Sequence, residues 1–213
     1  MGTQGETAAP ALVAASCVLL GTRAVLIRGP SGSGKSTLAW TLIEAPGPFS
    51  LGRLVCDDYV LLEARHGRLL ASPVAAIAGL IEIRGLGIAP FAYEPLARIG
   101  LIADLTPTHE VPRLPEPEDL RAEVFGIGLP RLAVPMASPL AARLVRHAMS
   151  HLAAGGDLAD FIGESACCRR SERPVDGRNR SCTASAIRTM IAAYQRRRGG
   201  RDTDGGRMMG FRE

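Results

Sequence analysis

Lysine is almost missing from this chain. Of its 25 lysine and arginine residues, one is a lysine, Lys35, and the other 24 are arginines. Long apolar runs are missing too: no stretch approaches the roughly 18 residues that a membrane-spanning helix needs, so no span is expected. Residues 1–16 lack a basic segment followed by an apolar core, which argues against a secretory leader. The five cysteines, Cys17, Cys56, Cys167, Cys168 and Cys182, show neither paired zinc spacing nor an even disulfide framework. A reduced, cytoplasmic setting is expected. Aromatic residues make up 4% of the chain, and only Tyr194 and Phe211 accompany the arginines near the C-terminus. A nucleic-acid surface built on base stacking is therefore disfavoured.

A chain of 213 residues is long enough for one domain with a sizeable core. The formal net charge of +4 is unevenly spread. Residues 1–165 carry 13 basic and 16 acidic side chains, and residues 166–213 carry 12 and 5. The expected organisation is a folded domain over 1–165 and a basic tail over 166–213. The tail has too few large apolar residues to offset chain entropy and reads as a disordered, solvated appendage. One short helix is expected within it, from Ser185 to Arg198.

The single lysine lies in Gly29-Pro30-Ser31-Gly32-Ser33-Gly34-Lys35-Ser36, a full match to the Walker A pattern G-x-x-x-x-G-K-[ST]. A compact ammonium on a flexible stem reaches the β- and γ-phosphates of a nucleotide, a point contact to which a planar guanidinium is poorly suited. Gly29, Gly32 and Gly34 permit positive φ and leave room for backbone N–H groups to face phosphate oxygens. Ala24-Val25-Leu26-Ile27 before the loop reads as a buried strand, and the segment from Ser36 through Thr37 to Glu44 as a helix ended by Pro46-Gly47-Pro48. Phosphates would thus lie at a helix N-terminus, where free N–H groups and the helix dipole favour anions. Ser36 offers a hydroxyl to Mg²⁺ in this pattern. Walker A alone marks only a nucleoside-triphosphate protein.

Further along, Arg53 to Asp58 reads as a second central strand ending in two carboxylates. Tyr59–Glu63 and Arg68–Ala71 flank a turn with Gly67, and Ile99–Leu105 is a third apolar strand. The proline-rich segment from Thr106 to Asp119 is expected to be a loop. Ser138 can cap a helix running from Pro139 to about Ala154 and ended by Gly155-Gly156. Strands alternating with helices predict an α/β fold with a mainly parallel central sheet and its ligand at the carboxyl ends of the strands.

Mg·ATP chemistry needs a carboxylate near the metal and a base for the acceptor hydroxyl. Asp104 ends the cleaner apolar run, whereas Asp57-Asp58 bring two adjacent carboxylates, an arrangement that raises one pKa. The residues alone leave the two equal. Glu82 and Arg84 lie two apart in a glycine-bounded stretch and share a face if the chain is extended there, as an ion pair or a metal site. His147 and His151, four apart on a helix, lack the glutamate of a zinc motif and read as surface residues. Trp40 reads as a core or interface residue of the first helix.

Three segments in order carry a resemblance: the Walker A loop, then Leu54-Val55-Cys56-Asp57-Asp58-Tyr59-Val60, then Ile81-Glu82-Ile83-Arg84-Gly85-Leu86-Gly87-Ile88. Together, from about Val13 to Ala133, the chain resembles the HPr kinase/phosphorylase family in its short form without a separate N-terminal domain. The resemblance implies a fold like that of phosphoenolpyruvate carboxykinase, a homohexamer, and ATP-dependent phosphorylation of a serine on the phosphocarrier HPr within the phosphotransferase system. It implies that Gly29 to Thr37 hold the triphosphate, that Lys35 neutralises the transferred group, and that Ser36 and Glu82 hold Mg²⁺. Asp57 or Asp58 becomes the base and Arg113 the catalytic arginine, while Arg84 positions phosphate or braces Glu82. Two departures stand out. Ala14 occupies the place of the histidine in a family segment like I-H-A-S-C, and Val134 to Pro139 replaces a basic loop linked to phosphorolysis. Both departures weigh against the reverse reaction and the first weighs against the kinase as well, so two other readings stay open. One is a non-catalytic ATP-binding regulator. The other is a small-molecule P-loop kinase, although the body shows no arginine-rich lid.

Overall fold

A computed structural model describes residues 9–162 of the chain. Its architecture is built outward from β3 (Arg23–Arg28), whose residues Ala24 to Ile27 are all buried. Side chains alternate across a strand, so Val25 and Ile27 join one core and Ala24 and Leu26 another. The first core is closed by α1 (Lys35–Glu44), through Leu38, Ala39 and Leu42, and by α2 (Ala141–Ala153), through Val145, Met149 and Leu152. The second is closed by β5 (Tyr59–Arg65) and β6 (Arg68–Pro73), which bring Val60, Leu62 and Leu69 over the opposite face.

The main sheet has nine strands, in the order β1 (Ala11–Ala14), β5, β6, β9 (Ala97–Thr106), β3, β2 (Ser16–Leu20), β4 (Gly52–Cys56), with β11 (Ile127–Pro135) on β9 and β10 (Arg121–Val124) on β11. The sheet is mixed, which corrects the expected mainly parallel arrangement. Only β3 with β9 and β9 with β11 run parallel; the other pairs are antiparallel. The physical reason is turn length. β2 and β3 are joined by Gly21-Thr22, β5 and β6 by His66-Gly67, and β10 and β11 by Phe125-Gly126. His66 and Gly67 (φ 50° and 69°) and Phe125 and Gly126 (φ 52° and 73°) carry the paired positive φ angles of two-residue hairpin turns. Such turns force antiparallel pairing, and only a longer connection allows the parallel one.

Two further expectations change. The strand ending at Cys56 is β4 at the end of the strand order, not a central strand, although residues 92–94 pair with Leu54 beyond it. α2 starts at Ala141, two residues after Pro139, and the Ser138 hydroxyl accepts from the Leu140 N–H. The first helix, the Gly67 turn and the long apolar β9 lie where they were expected. A separate hairpin, β7 (Leu80–Ile83) and β8 (Gly87–Pro90), packs against α1. Arg84 falls in its turn, so it does not share an extended strand with Glu82. No helix among the described residues is long and apolar enough to cross a membrane. The tail expected over 166–213, with its helix at Ser185–Arg198, lies outside the described residues.

Candidate functional site

β3 ends at Arg28, and the chain turns at once through Gly29 into the loop that leads to α1. Gly29, Gly32 and Gly34 all have positive φ (151°, 77° and 97°). A Cβ on Gly29 would lie 2.8 Å from Ser33 Oγ and 2.9 Å from Leu105 Cβ, so that glycine is a packing requirement. A Cβ on Gly32 or Gly34 would meet nothing within 4 Å, so these two face open space, as a phosphate cradle must. Gly34 is the N-cap of α1; no side chain caps the helix and no acidic residue occupies its first turn. Its leading N–H groups therefore remain available to an anion. The Lys35 ammonium donates to the carbonyls of Gly29 (3.1 Å) and Pro30 (3.0 Å), which holds it over the loop.

The loop is tied to the carboxylate pair by one hydroxyl. Ser36 Oγ donates to Asp57 Oδ1 at 3.1 Å. Ser16 Oγ, at the start of β2, donates to the same oxygen at 2.5 Å. Asp57 is 3% exposed, and its Oδ2 is buried without a partner. Asp58 is exposed, with a positive φ of 62°, an uncommon conformation for a residue other than glycine. Burial and then the Asp57 charge push the Asp58 carboxyl above the usual range, with Glu82 adding to the rise and Lys35 opposing it. Asp57, Lys35 and Glu82 thus lie close enough to Asp58 to act on its charge, and Ser36 joins Asp57 through its hydrogen bond.

Asp104, the rival carboxylate, is already occupied. Arg28 Nε donates to its Oδ1 at 2.7 Å, Arg28 Nη2 to Oδ2 at 2.9 Å and Arg131 Nε to Oδ2 at 2.5 Å. Burial pushes this carboxyl up, but the hydrogen bonds and charges of the two guanidiniums outweigh burial and hold it below 3.8. A carboxylate so bracketed has little capacity left for a cation.

Two cavities open near the carboxyl ends of the strands. One of about 420 Å³ adjoins the loop and is lined by Gly32 to Gly34, Thr37, Thr41 and Ser138. The other, of about 560 Å³, is lined by Glu110, Arg113, Thr106 and Arg131. Arg113 thus lies in the second cavity, and among the described residues no hydrogen bond or ion pair joins it or Arg84 to the loop. Glu82 is exposed on β7, near enough to Asp58 to act on its charge. Among the described residues no group of three or more His, Cys, Asp and Glu side chains forms a ready metal cage. That fits Mg²⁺, which takes one or two carboxylates and completes its shell with phosphate and water. Ser36 Oγ and the unpartnered Asp57 Oδ2 are the oxygens that could hold such an ion.

Sequence reasoning missed Ser16. The signal was present in Ala14-Ala15-Ser16-Cys17, which keeps the serine of the I-H-A-S-C segment while losing its histidine. Cys17 and Cys56 face each other in the β2–β4 register, both fully buried. Burial and then the neighbouring Asp57 push the Cys56 thiol up to about 12, and burial raises Cys17 as well. His151 accepts no metal role: its Nε2 lies 3.0 Å from Asp160 Oδ2, under the Phe161 ring.

The model of the family described as HPr Serine kinase C-terminal domain matches residues 7–140. The HPr kinase/phosphorylase of Clostridium tetani (strain Massachusetts / E88) is 42% identical over 64 residues, 30% of this chain and 19% of that protein. That of Clostridium botulinum (strain Eklund 17B / Type B) is 39% identical over 64 residues. The chain thus aligns with only 19% of the length of these curated relatives. The solved structure of the Hpr(Ser) kinase/phosphatase from Coxiella burnetii superposes with a TM-score of 0.59 at 24% identity, covering 68% of this chain and 97% of that one. At that identity the likeness is one of fold.

Proposed function

The chain belongs to the family of the HPr serine kinase C-terminal domain, and from that premise we propose that it transfers the γ-phosphoryl group of ATP to a serine of an HPr-like phosphocarrier. The observation that carries this reading is the 3.1 Å hydrogen bond from Ser36 to Asp57, which couples the phosphate-binding loop to a buried carboxylate with one bare oxygen. The loop amides from Gly29 to Thr37 and the Lys35 ammonium bind the triphosphate and stabilise charge on the transferred group. A bound Mg²⁺ would supply positive charge to offset that of the transferred group. Ser36 and Asp57 hold that ion, with Glu82 in reserve at the rim.

Asp58 takes the base role. It is exposed beside the loop, where an acceptor hydroxyl can reach it, and partial burial and the Asp57 charge raise its pKa. The acceptor hydroxyl gives its proton to Asp58 as its oxygen bonds to the γ-phosphorus, and the bond from that phosphorus to the β-phosphate bridging oxygen breaks, releasing ADP. Arg113 remains the candidate arginine only if the acceptor bridges the two cavities. The cytoplasmic phosphotransferase-system setting and the homo-oligomeric assembly come with this reading. A second reading, a nucleotide-binding regulator without turnover, is favoured by Ala14. This residue pairs with Tyr59 directly beside Asp58, where the family pattern has a histidine.

The test is to incubate the chain with Mg·ATP and a purified HPr-type carrier and to read intact mass. One added phosphate on a carrier serine, absent with Lys35→Ala and with Asp58→Ala, is the expected result. ATP binding with no phosphate on the carrier would overturn the kinase reading in favour of the regulator.

A further inference from the structure

Among the described residues the buried polar or charged side chains are Ser16, Ser33 and Asp57. Ser33 lies in the phosphate loop, Asp57 is the carboxylate beside it, and Ser16 donates to Asp57. Ser16 is the one that no expectation assigned. It opens β2, the strand that separates β3, which feeds the phosphate loop, from β4, which delivers Asp57. The β2–β4 register shifts between Cys17 and Val18: Cys17 faces Cys56 while Val18 faces Leu54. Such a bulge re-aims the strand end, and here the end that is re-aimed carries Asp57 toward the start of β2.

Two hydroxyls then converge on one carboxylate oxygen. Ser16 donates to Asp57 Oδ1 at 2.5 Å and Ser36 donates to the same atom at 3.1 Å, while Oδ2 has no partner. A pair with a purely structural task would satisfy both oxygens, because a buried carboxylate oxygen left bare is costly. The torsion that spins a carboxylate is broad, so the Ser36 bond alone would let either oxygen turn toward it. The second donor, fixed in a strand and fully buried, removes that freedom.

We propose that Ser16 is a positioning residue. Its hydroxyl locks the Asp57 carboxylate so that Oδ2 faces a Mg²⁺ ion bound with nucleotide at the phosphate loop. This rests on the reading of the loop as a Mg·ATP site. Ser36 can then keep its proton on Oδ1 and present its lone pairs to the ion. Partners of this kind, one step behind a metal-facing group, typically change metal affinity by about 10- to 100-fold when removed.

The test measures the affinity of a fluorescent ATP analogue in EDTA and in Mg²⁺ for the full chain and for Ser16→Ala and Ser16→Thr. In EDTA all three should bind alike, because the loop and Lys35 are untouched. The Mg²⁺-dependent tightening should fall by roughly 10- to 100-fold in Ser16→Ala. It should return in Ser16→Thr, which keeps the hydroxyl even though its extra methyl strains a buried position and lowers the melting temperature. A wild-type Mg²⁺ response in Ser16→Ala would overturn the assignment. So would an equal loss in EDTA, or a loss in both variants, since either would mark a packing effect. If the unaltered chain shows no Mg²⁺-dependent nucleotide binding, the kinase reading falls with the inference; if it does and Ser16→Ala matches it, only the role of Ser16 falls.

Discussion

Asp104 illustrates how much a single side chain's partners decide. Its position at the end of the most apolar strand suits a metal carboxylate, yet three hydrogen bonds from Arg28 and Arg131 make it a structural anchor between β3, β9 and β11. Its pKa is depressed below 3.8, so it contributes stability that is fully present above that value and is lost as pH falls through the lower folded value. Asp104→Asn should therefore lower unfolding free energy by about 1–3 kcal/mol at neutral pH, by leaving two half-buried guanidiniums short of an acceptor. Chemical denaturation should show the same gap at pH 5, with the gap closing only below 3.8. A gap that closes instead between pH 5 and 7 would contradict the pairing. At this scale the sequence showed the residue types of the site but not their pairing. Lys35, Ser36 and the Asp57-Asp58 pair stand out by motif and by resemblance. The serine of Ala14-Ala15-Ser16-Cys17 is visible in the segment, but its bond to Asp57 depends on the β2–β4 register shift, which the sequence does not announce.

Among the elements, β9 joins the two parts of the sheet. Its first residues pair with β6, its middle with β3 and its end with β11. Ile102, fully buried toward the β5–β6 side, belongs to one core, and its neighbours Leu101 and Ala103 to the other. Ile102→Ala should cost about 2–5 kcal/mol in unfolding free energy. Leu86, 73% exposed in the β7–β8 turn, should change it by no more than about 0.5 kcal/mol on replacement by alanine. Equal effects at the two positions, measured by urea unfolding, would mean that the core is not organised around β9. The strands themselves were legible, because runs such as Ala24–Ile27 and Ile99–Leu105 are apolar throughout. Their directions were not. A strand buried on both faces looks the same in sequence whether its neighbours run parallel or antiparallel, and β2 is short enough to pass for the approach to the phosphate loop. Asp57 therefore reaches that loop from β4 across β2, rather than from an adjacent parallel strand.

For the whole molecule, the consequence is a site assembled by a mixed sheet. The phosphate loop leaves β3 toward α1, the carboxylate pair comes from the end of β4, and Glu82 is delivered by a hairpin that packs on α1. The charge asymmetry seen in composition places the excess of basic over acidic residues after residue 165, while the candidate site brings together one lysine and several carboxylates. We assign Asp57, not Asp104, as the carboxylate that serves the loop. Mg²⁺-dependent nucleotide affinity, measured by titration calorimetry for Asp57→Asn and Asp104→Asn, tests it most directly. Loss of the Mg²⁺ contribution in Asp57→Asn, with Asp104→Asn binding as the unaltered chain does, is the result this account predicts. The reverse pattern would contradict it and return the metal to the end of β9.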